Sequence, residues 1–229
     1  MAAENRTIKT IGIIGGTGKE GKGLAFRWLK ADYSVLIGSR QAEKAMTAAD
    51  DLRKLVGEQA NVTGVTNPEA VTNSDVVVMT VPYSAHRATL EGLKDVLQGK
   101  ILIDVTVPIV PPKVTRVQMP PDGSAAQEAL AILGEGVEVT SAFQNVSYER
   151  LLKDEDIGCD VLVCGVNKAA RAVVLELVRA GGMIGYDAGP IENSVVVEGL
   201  TSVLIGINRQ FGVQSAGIKI IGVPDSPLV

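Results

Sequence analysis

An α/β fold, doubly wound on a mostly parallel sheet, is the architecture predicted for this 229-residue chain. Apolar runs of strand length alternate with segments of helical spacing, which is the pattern of a sheet covered on both faces. A glycine-rich turn joins the first apolar run to the first helical one, and 46% apolar residues supply a sizeable core.

The strands expected are Lys9–Ile14, Ser34–Ile37, Val62–Val65, Asp75–Val81 and Ile101–Val105, each a short apolar run bounded by polar or turn residues. Between them Lys22–Leu29, Ala42–Val56 and Ser84–Leu97 carry apolar residues at helical spacing. A short helical turn is expected from Asn67-Pro68-Glu69, where a capping side chain precedes proline at the first helical position. The texture then changes. Val107 to Gly123 holds Pro108, Pro111, Pro112, Pro120 and Pro121, and these remove backbone donors, so a long loop is predicted. Beyond it come a helix at Ala125–Leu133, a strand at Val137–Ser141 and a short helix at Tyr148–Leu152. Strands at Asp160–Cys164 and Met183–Asp187 flank a helix at Lys168–Ala180. A long helix follows Pro190, with Val196, Leu200, Val203, Leu204, Ile207 and Phe211 on one stripe, read as core or a subunit interface. Gly217–Ile221 is read as a last strand.

Composition excludes several classes of function. A net charge of −4 with 3% aromatic residues argues against nucleic acid as a partner. No apolar run is long enough to span a membrane, and Met1 to Thr10 has no apolar signal core, so a cytoplasmic protein is expected. The two cysteines, Cys159 and Cys164, lie an odd number of residues apart and would face opposite sides of a strand; they are read as unpaired packing residues. With a single histidine, no metal site is expected.

Gly15-Gly16-Thr17-Gly18-Lys19-Glu20-Gly21 sits between a strand and a helix, the context in which glycines let backbone N–H groups approach a pyrophosphate at a helix N-terminus. The second strand runs into Gly38-Ser39-Arg40, where an NAD site would carry Asp or Glu for the ribose 2′-hydroxyl. A guanidinium there suits a 2′-phosphate that a carboxylate would repel, and Lys44 is placed to flank it; the cofactor expected is NADP.

Thr80, Val81, Pro82, Tyr83, Thr106 and Ser141-Ala142-Phe143-Gln144 fall at strand ends that face the ligand crevice. They offer little acid–base apparatus. No Tyr-x-x-x-Lys occurs, since Tyr33, Tyr83, Tyr148 and Tyr186 are followed four residues on by Ile37, Arg87, Leu152 and Pro190. His86 is read as a surface or capping histidine, with a crevice base as the alternative. An acceptor that takes hydride and manages its own charge, such as a flavin-like ring, fits such a site.

Gly15 to Ala25, Ile37 to Ala45, Asp187-Ala188-Gly189-Pro190-Ile191-Glu192-Asn193-Ser194, Val197 to Thr201 and Gly217-Ile218-Lys219 together resemble the NADPH-dependent coenzyme F420 reductases over nearly the whole chain. The resemblance implies reversible hydride transfer between NADPH and the 8-hydroxy-5-deazaflavin coenzyme F420, a homodimer, and no catalytic side chain. It implies a Rossmann-type NADP-binding domain over 1–145 and a smaller C-terminal α/β part over 146–229 for substrate and dimerisation. Gly16, Thr17, Gly18, Lys19 and Glu20 would then line the pyrophosphate, Ser39, Arg40 and Lys44 the 2′-phosphate, and Val81, Pro82 and Ala142 the nicotinamide. Gln144 stands where the family carries His, and Asp104-Val105-Thr106-Val107-Pro108 departs from its usual segment after the fifth strand. A free flavin or another small acceptor, or a non-catalytic NADP-binding redox sensor, remain the alternatives.

Overall fold

The structure, a computed structural model, describes residues 8–223, so the N-terminal stretch read for a signal core lies outside the described residues through residue 7. Eight strands form one sheet in the order β3-β2-β1-β4-β5-β6-β7-β8. These are β1 Thr10–Ile14, β2 Ser34–Ser39, β3 Val62–Thr66, β4 Val76–Met79, β5 Ile101–Asp104, β6 Glu138–Ser141, β7 Asp160–Gly165 and β8 Ile184–Gly189. The first six run parallel, with β1 between β2 (Ile11 opposite Val35) and β4 (Ile11 opposite Val76). Strand order therefore reverses at the β1/β4 boundary, where open α/β sheets leave a crevice at the carboxyl ends of their strands. At β6 the direction flips: Thr140 and Ser141 pair antiparallel with Gly165 and Cys164, and β8 continues parallel to β7.

The helices are α1 Lys19–Lys30, α2 Ala42–Val56, α3 Asn67–Thr72, α4 Tyr83–Leu97, α5 Ala125–Leu133, α6 Tyr148–Leu151, α7 Lys168–Ala180 and α8 Ser194–Phe211. They cover both faces. Ile11, Ile13, Val35, Ile37, Val76 and Val78 pack with α1, α2 and α7 on one side. Ile14, Val77, Met79 and Leu102 pack with α4 and α5 on the other. Trp28 ties α1 to α7: it is wholly buried, donates Nε1–H to the Leu177 carbonyl at 2.9 Å, and meets Phe143 edge-on at 5.8 Å. An indole buried this way keeps its one donor satisfied.

Three expectations change. Helix α1 begins at Lys19, not Lys22, because Gly21 and Gly23 serve close packing inside the helix. A Cβ on Gly21 would stand 2.7 Å from Gly16 Cα, and one on Gly23 would stand 2.6 Å from Leu151 Cβ. Helix α3 is capped by Thr66, not Asn67, since Thr66 and Glu69 form a capping box in which the Glu69 carboxylate accepts the Thr66 N–H at 2.9 Å. Gly217–Ile221 forms no strand; among the described residues only Asp160 gives it partners, donating its N–H to the Ile218 carbonyl (2.8 Å) and accepting the Ile220 N–H (2.6 Å), so no ladder is built.

Candidate functional site

The carboxyl ends of β1, β2, β4 and β5 open on a cavity of about 1040 Å³. That is the upper end of the roughly 300–1,000 Å³ typical of small-molecule sites, enough for an extended dinucleotide. One wall is the glycine turn, with Gly15, Thr17, Gly18, Lys19 and Glu20 on the surface. The far ends are Ser39, Arg40, Gln41 and Lys44 on one side, and Val81, Pro82, Tyr83, Thr106 and Ile109 on the other.

Each glycine of the turn has its own reason. Gly15 turns the chain at φ +71°, a conformation that side chains disfavour. Gly21 allows α1 to press on Gly16 and Thr80. Gly18 answers to neither demand: its φ is −73°, and a Cβ there would meet no protein atom closer than the Gly15 carbonyl oxygen at 3.5 Å. The space beside it belongs to the cavity, as an anion cradle requires. Gly16 and Ala142, expected on the wall, are not among its lining residues. Gly16 is buried with its N–H donated to the Gly38 carbonyl at 3.0 Å, and Ala142 has no exposed surface.

The helices differ in side-chain capping: the three that begin at the cavity lack a cap, as does α8, which begins away from it. Helices α5, α6 and α7 each have one first-turn N–H accepted by a capping side chain, from Ser124, Ser147 and Asn167, and α3 carries its capping box. Helices α1, α2 and α4, whose starts lie at the cavity, follow Gly18, Gln41 and Pro82 and have no side-chain cap. Uncapped N–H groups and the positive end of a helix dipole make an anion site.

At the end of β2 the Ser39 Oγ accepts the Gln41 N–H at 3.2 Å, which sets the bend into α2. Arg40 and Lys44 are exposed, both line the cavity, and among the described residues neither enters an ion pair. Two cations, with no carboxylate lining that end of the cavity, suit a phosphomonoester. Asn67, released from capping by Thr66, is nearly buried and lines the cavity; its Oδ1 accepts the Gly15 N–H at 3.4 Å and so supports the turn. The Thr66-x-x-Glu69 pattern was the signal that could have freed Asn67 from its expected capping role.

At the opposite end Val81 and Pro82 line the cavity beside Tyr83 and Thr106. The Tyr83 hydroxyl donates to Glu128 Oε2 at 2.8 Å; burial first, then that carboxylate, push it up to about 12. His86 is not on the surface. Its side chain is 0% exposed, and Nε2 lies 2.7 Å from Oδ2 of Asp104, itself 1% exposed. Burial works against the imidazolium, but the Asp104 carboxylate outweighs it and raises His86 above its usual value. The other Asp104 oxygen accepts the Thr106 N–H at 2.9 Å, so this buried pair holds a cavity-lining residue without facing the cavity itself.

Ser141 to Gln144 do not reach the cavity either. Phe143 turns into the core at φ +73°, and the Gln144 amide donates to the Asp104 carbonyl (2.7 Å) and to Ser141 Oγ (2.9 Å). Helix α8 seals the end of β6: Asn145 Nδ2–H donates to the Val197 carbonyl at 2.9 Å, and Thr201 Oγ–H to the Gln144 carbonyl at 2.8 Å.

Comparison with known proteins agrees with this geometry. Residues 10–108 match the family model described as NADP oxidoreductase, coenzyme F420-dependent. The chain is 40% identical over 225 residues to the F420-dependent NADP reductase of Methanothermobacter thermautotrophicus, covering 95% of this chain and 97% of that protein. It is 39% identical over 219 residues to the enzyme of the same name from Methanocaldococcus jannaschii, covering 92% and 97%. A crystal structure of a candidate F420-dependent NADP-reductase from Arthrobacter sp. FB24 superposes with a TM-score of 0.77 at 20% identity, covering 94% of this chain and 100% of that one, which shows the shared fold.

Proposed function

From a chain that belongs to the F420-dependent NADP reductases, we propose an enzyme that holds NADPH along this cavity and exchanges hydride reversibly with coenzyme F420. The pyrophosphate is assigned to the uncapped start of α1, with Thr17, Gly18, Lys19 and Glu20 around it and Gly16 supporting the turn from behind. The 2′-phosphate is assigned to Ser39, Arg40 and Lys44. Val81 and Pro82 flank the nicotinamide, whereas Ala142 is fully buried and lines no part of the cavity.

The chemistry is carried by the two rings, one giving hydride and the other accepting it. What the chain contributes is alignment and dryness, since donor and acceptor carbons must approach to roughly 3–3.5 Å. The single observation behind the deazaflavin reading is the acid–base poverty of the nicotinamide end. Tyr83 is held neutral with its proton committed to Glu128, and His86 is sealed behind Thr106. A carbonyl substrate would need a proton from a placed side chain; a deazaflavin ring does not.

Turnover of NADPH with oxidised F420, followed as loss of the deazaflavin absorbance, tests the reading. Oxidation of NADPH by free flavin but never by F420 would transfer the chain to the alternative acceptor class. Arg40→Glu is expected to raise the KM for NADPH at least tenfold, because each charge-assisted bond to phosphate contributes roughly 1.5–3 kcal/mol, while the KM for NADH stays nearly unchanged. Equal effects on both cofactors would remove Arg40 from the phosphate site.

The division of labour between residues 1–145 and 146–229 follows the same reading, with the second part covering the end of β6 and presenting a dimer face. On α8 the predicted stripe is not core: Val196, Val203, Ile207 and Phe211 are 64%, 48%, 38% and 68% exposed, and only Leu204 is buried. An aliphatic ridge of this kind is best covered by its own copy across a two-fold axis. Sedimentation that returned a monomer at micromolar protein would remove the homodimer. Two unpaired buried thiols, Cys159 and Cys164, go with a cytoplasmic site of action, and among the described residues no helix is long and apolar enough to cross a membrane.

A further inference from the structure

Glu20 is an odd residue to find where a pyrophosphate is to be held. It is the second residue of α1 and lines the cavity beside Gly18 and Lys19. Its Oε1 is shielded from solvent and has no hydrogen-bond partner. The nearby cations on its own helix are turned elsewhere. Lys19 Nζ lies 3.3 Å from the Tyr148 hydroxyl and 4.7 Å from the centre of that ring, and Lys22 pairs with Asp51 at 2.9 Å. The elements around it offer Tyr148 and Glu149 from α6, Asp51 and Lys44 from α2, Arg40 from the end of β2, and Tyr83 from α4. None of these bonds to Glu20.

An ionised Glu20 would thus be a half-buried anion with one oxygen shielded and unpaired and no counter-ion among the described residues, facing a ligand that brings further negative charge to the same helix start. Burial alone already pushes Glu20 up to about 8. The protonated form reverses the interaction, because a carboxylic acid carries one O–H to donate. Resting on the NADP reading above, we propose that Glu20 acts as a neutral acid that donates its proton in a hydrogen bond to the dinucleotide pyrophosphate, so that binding draws a proton from solvent whenever Glu20 begins ionised. The side chain is then a binding residue whose strength depends on pH, where a glutamine would bind at any pH.

The sign follows from linkage. The ligand prefers protonated Glu20, so affinity is level below the free-protein value near 8 and falls as pH rises through it. Going from pH 7.5 to pH 9, the fraction of Glu20 that must be protonated on binding rises from about a quarter to about nine-tenths, and affinity drops about eightfold. The 2′-phosphate is essentially fully ionised at both values and adds no proton of its own.

The experiment is calorimetric titration of the full chain with NADP⁺ in buffers of different ionisation enthalpy, which counts protons taken up, at pH 7.5 and 9. Wild type is expected to take up close to one proton at pH 9 and to bind about eightfold more weakly than at pH 7.5. Glu20→Gln is expected to take up none at either pH and to bind more tightly than wild type at pH 9. Wild-type binding at pH 9 without proton uptake, or an unchanged uptake in Glu20→Gln, overturns the role of Glu20 while leaving the NADP site standing. Failure of wild type to bind NADP⁺ at either pH removes the NADP site, and this proposal with it.

Discussion

His86→Leu tests whether the buried pair behind the nicotinamide end is a working part of the fold. The change removes Nε2, which lies 2.7 Å from Asp104 Oδ2 in a place where neither side chain exceeds 1% exposure. Breaking a buried pair from one side costs about 3–5 kcal/mol, because the remaining charge is left without a partner. For a chain of this size each kcal/mol shifts Tm by about 2–4 °C, so a fall of roughly 6–20 °C is expected by scanning calorimetry of the dinucleotide-free protein. The double variant His86→Leu/Asp104→Asn replaces the stranded charge with an amide that can still accept the Thr106 N–H, and it should recover part of the loss. The dependence on pH has a definite sign. The folded protein raises His86, so this contribution is complete below the unfolded value near 6.5 and declines as pH rises through the folded one. The Tm gap between wild type and His86→Leu should therefore be widest in mild acid. A fall below about 3 °C, or a gap that is the same at pH 6 and pH 9, would refute a charged pair holding Thr106 in place.

Two glycines of the turn make an internal contrast. Gly18→Ala adds a Cβ that meets no protein atom within 3.5 Å, so Tm should hold or rise slightly, while NADP affinity measured by calorimetry falls at least tenfold. Gly21→Ala puts a Cβ 2.7 Å from the Gly16 backbone and should cost about 1–3 kcal/mol in thermal unfolding; the reverse ranking of the two would show that Gly18 faces no ligand. Tyr83→Phe removes a hydroxyl already pushed up to about 12, so kcat with F420 should stay within about threefold of wild type, against the roughly 100- to 10,000-fold loss expected of a general acid. A loss of that larger size would make Tyr83 catalytic.

What the sequence discloses and what it withholds divide along contact range. Val76-Val77-Val78-Met79 and Ile101-Leu102-Ile103 are apolar without alternation because both faces of those strands are covered, and this is readable from the run itself. The glycine turn and the Ser39-Arg40 bend are equally local, and the structure gathers Thr17 to Glu20, Arg40 and Lys44 about one cavity. His86 misleads because its partner lies on β5, eighteen residues on, and no helical periodicity marks an imidazole as half of an ion pair. Ala142 and Gln144 mislead because a strand end counts as crevice only if nothing covers it, and the cover comes from α8, whose Val197 and Thr201 bond to Asn145 and Gln144. On α8 the stripe keeps only the second of its two readings, core or subunit interface, since helical spacing identifies an apolar face but not whether the same chain buries it.

Capping shows how such information can be present in a sequence and still not be readable there. Ser124, Ser147 and Asn167 are recognisable caps, whereas Gly18 and Pro82 have no side-chain acceptor to offer and Gln41 is a poor one. Taken singly, a missing cap is only a weaker helix start. Once the topology brings the starts of α1, α2 and α4 to the same crevice, three missing caps become one property, a set of helix starts without side-chain caps around a single cavity. Glu20 breaks that pattern, being an acceptor among donors, and only as a protonated acid does it join the set it stands in.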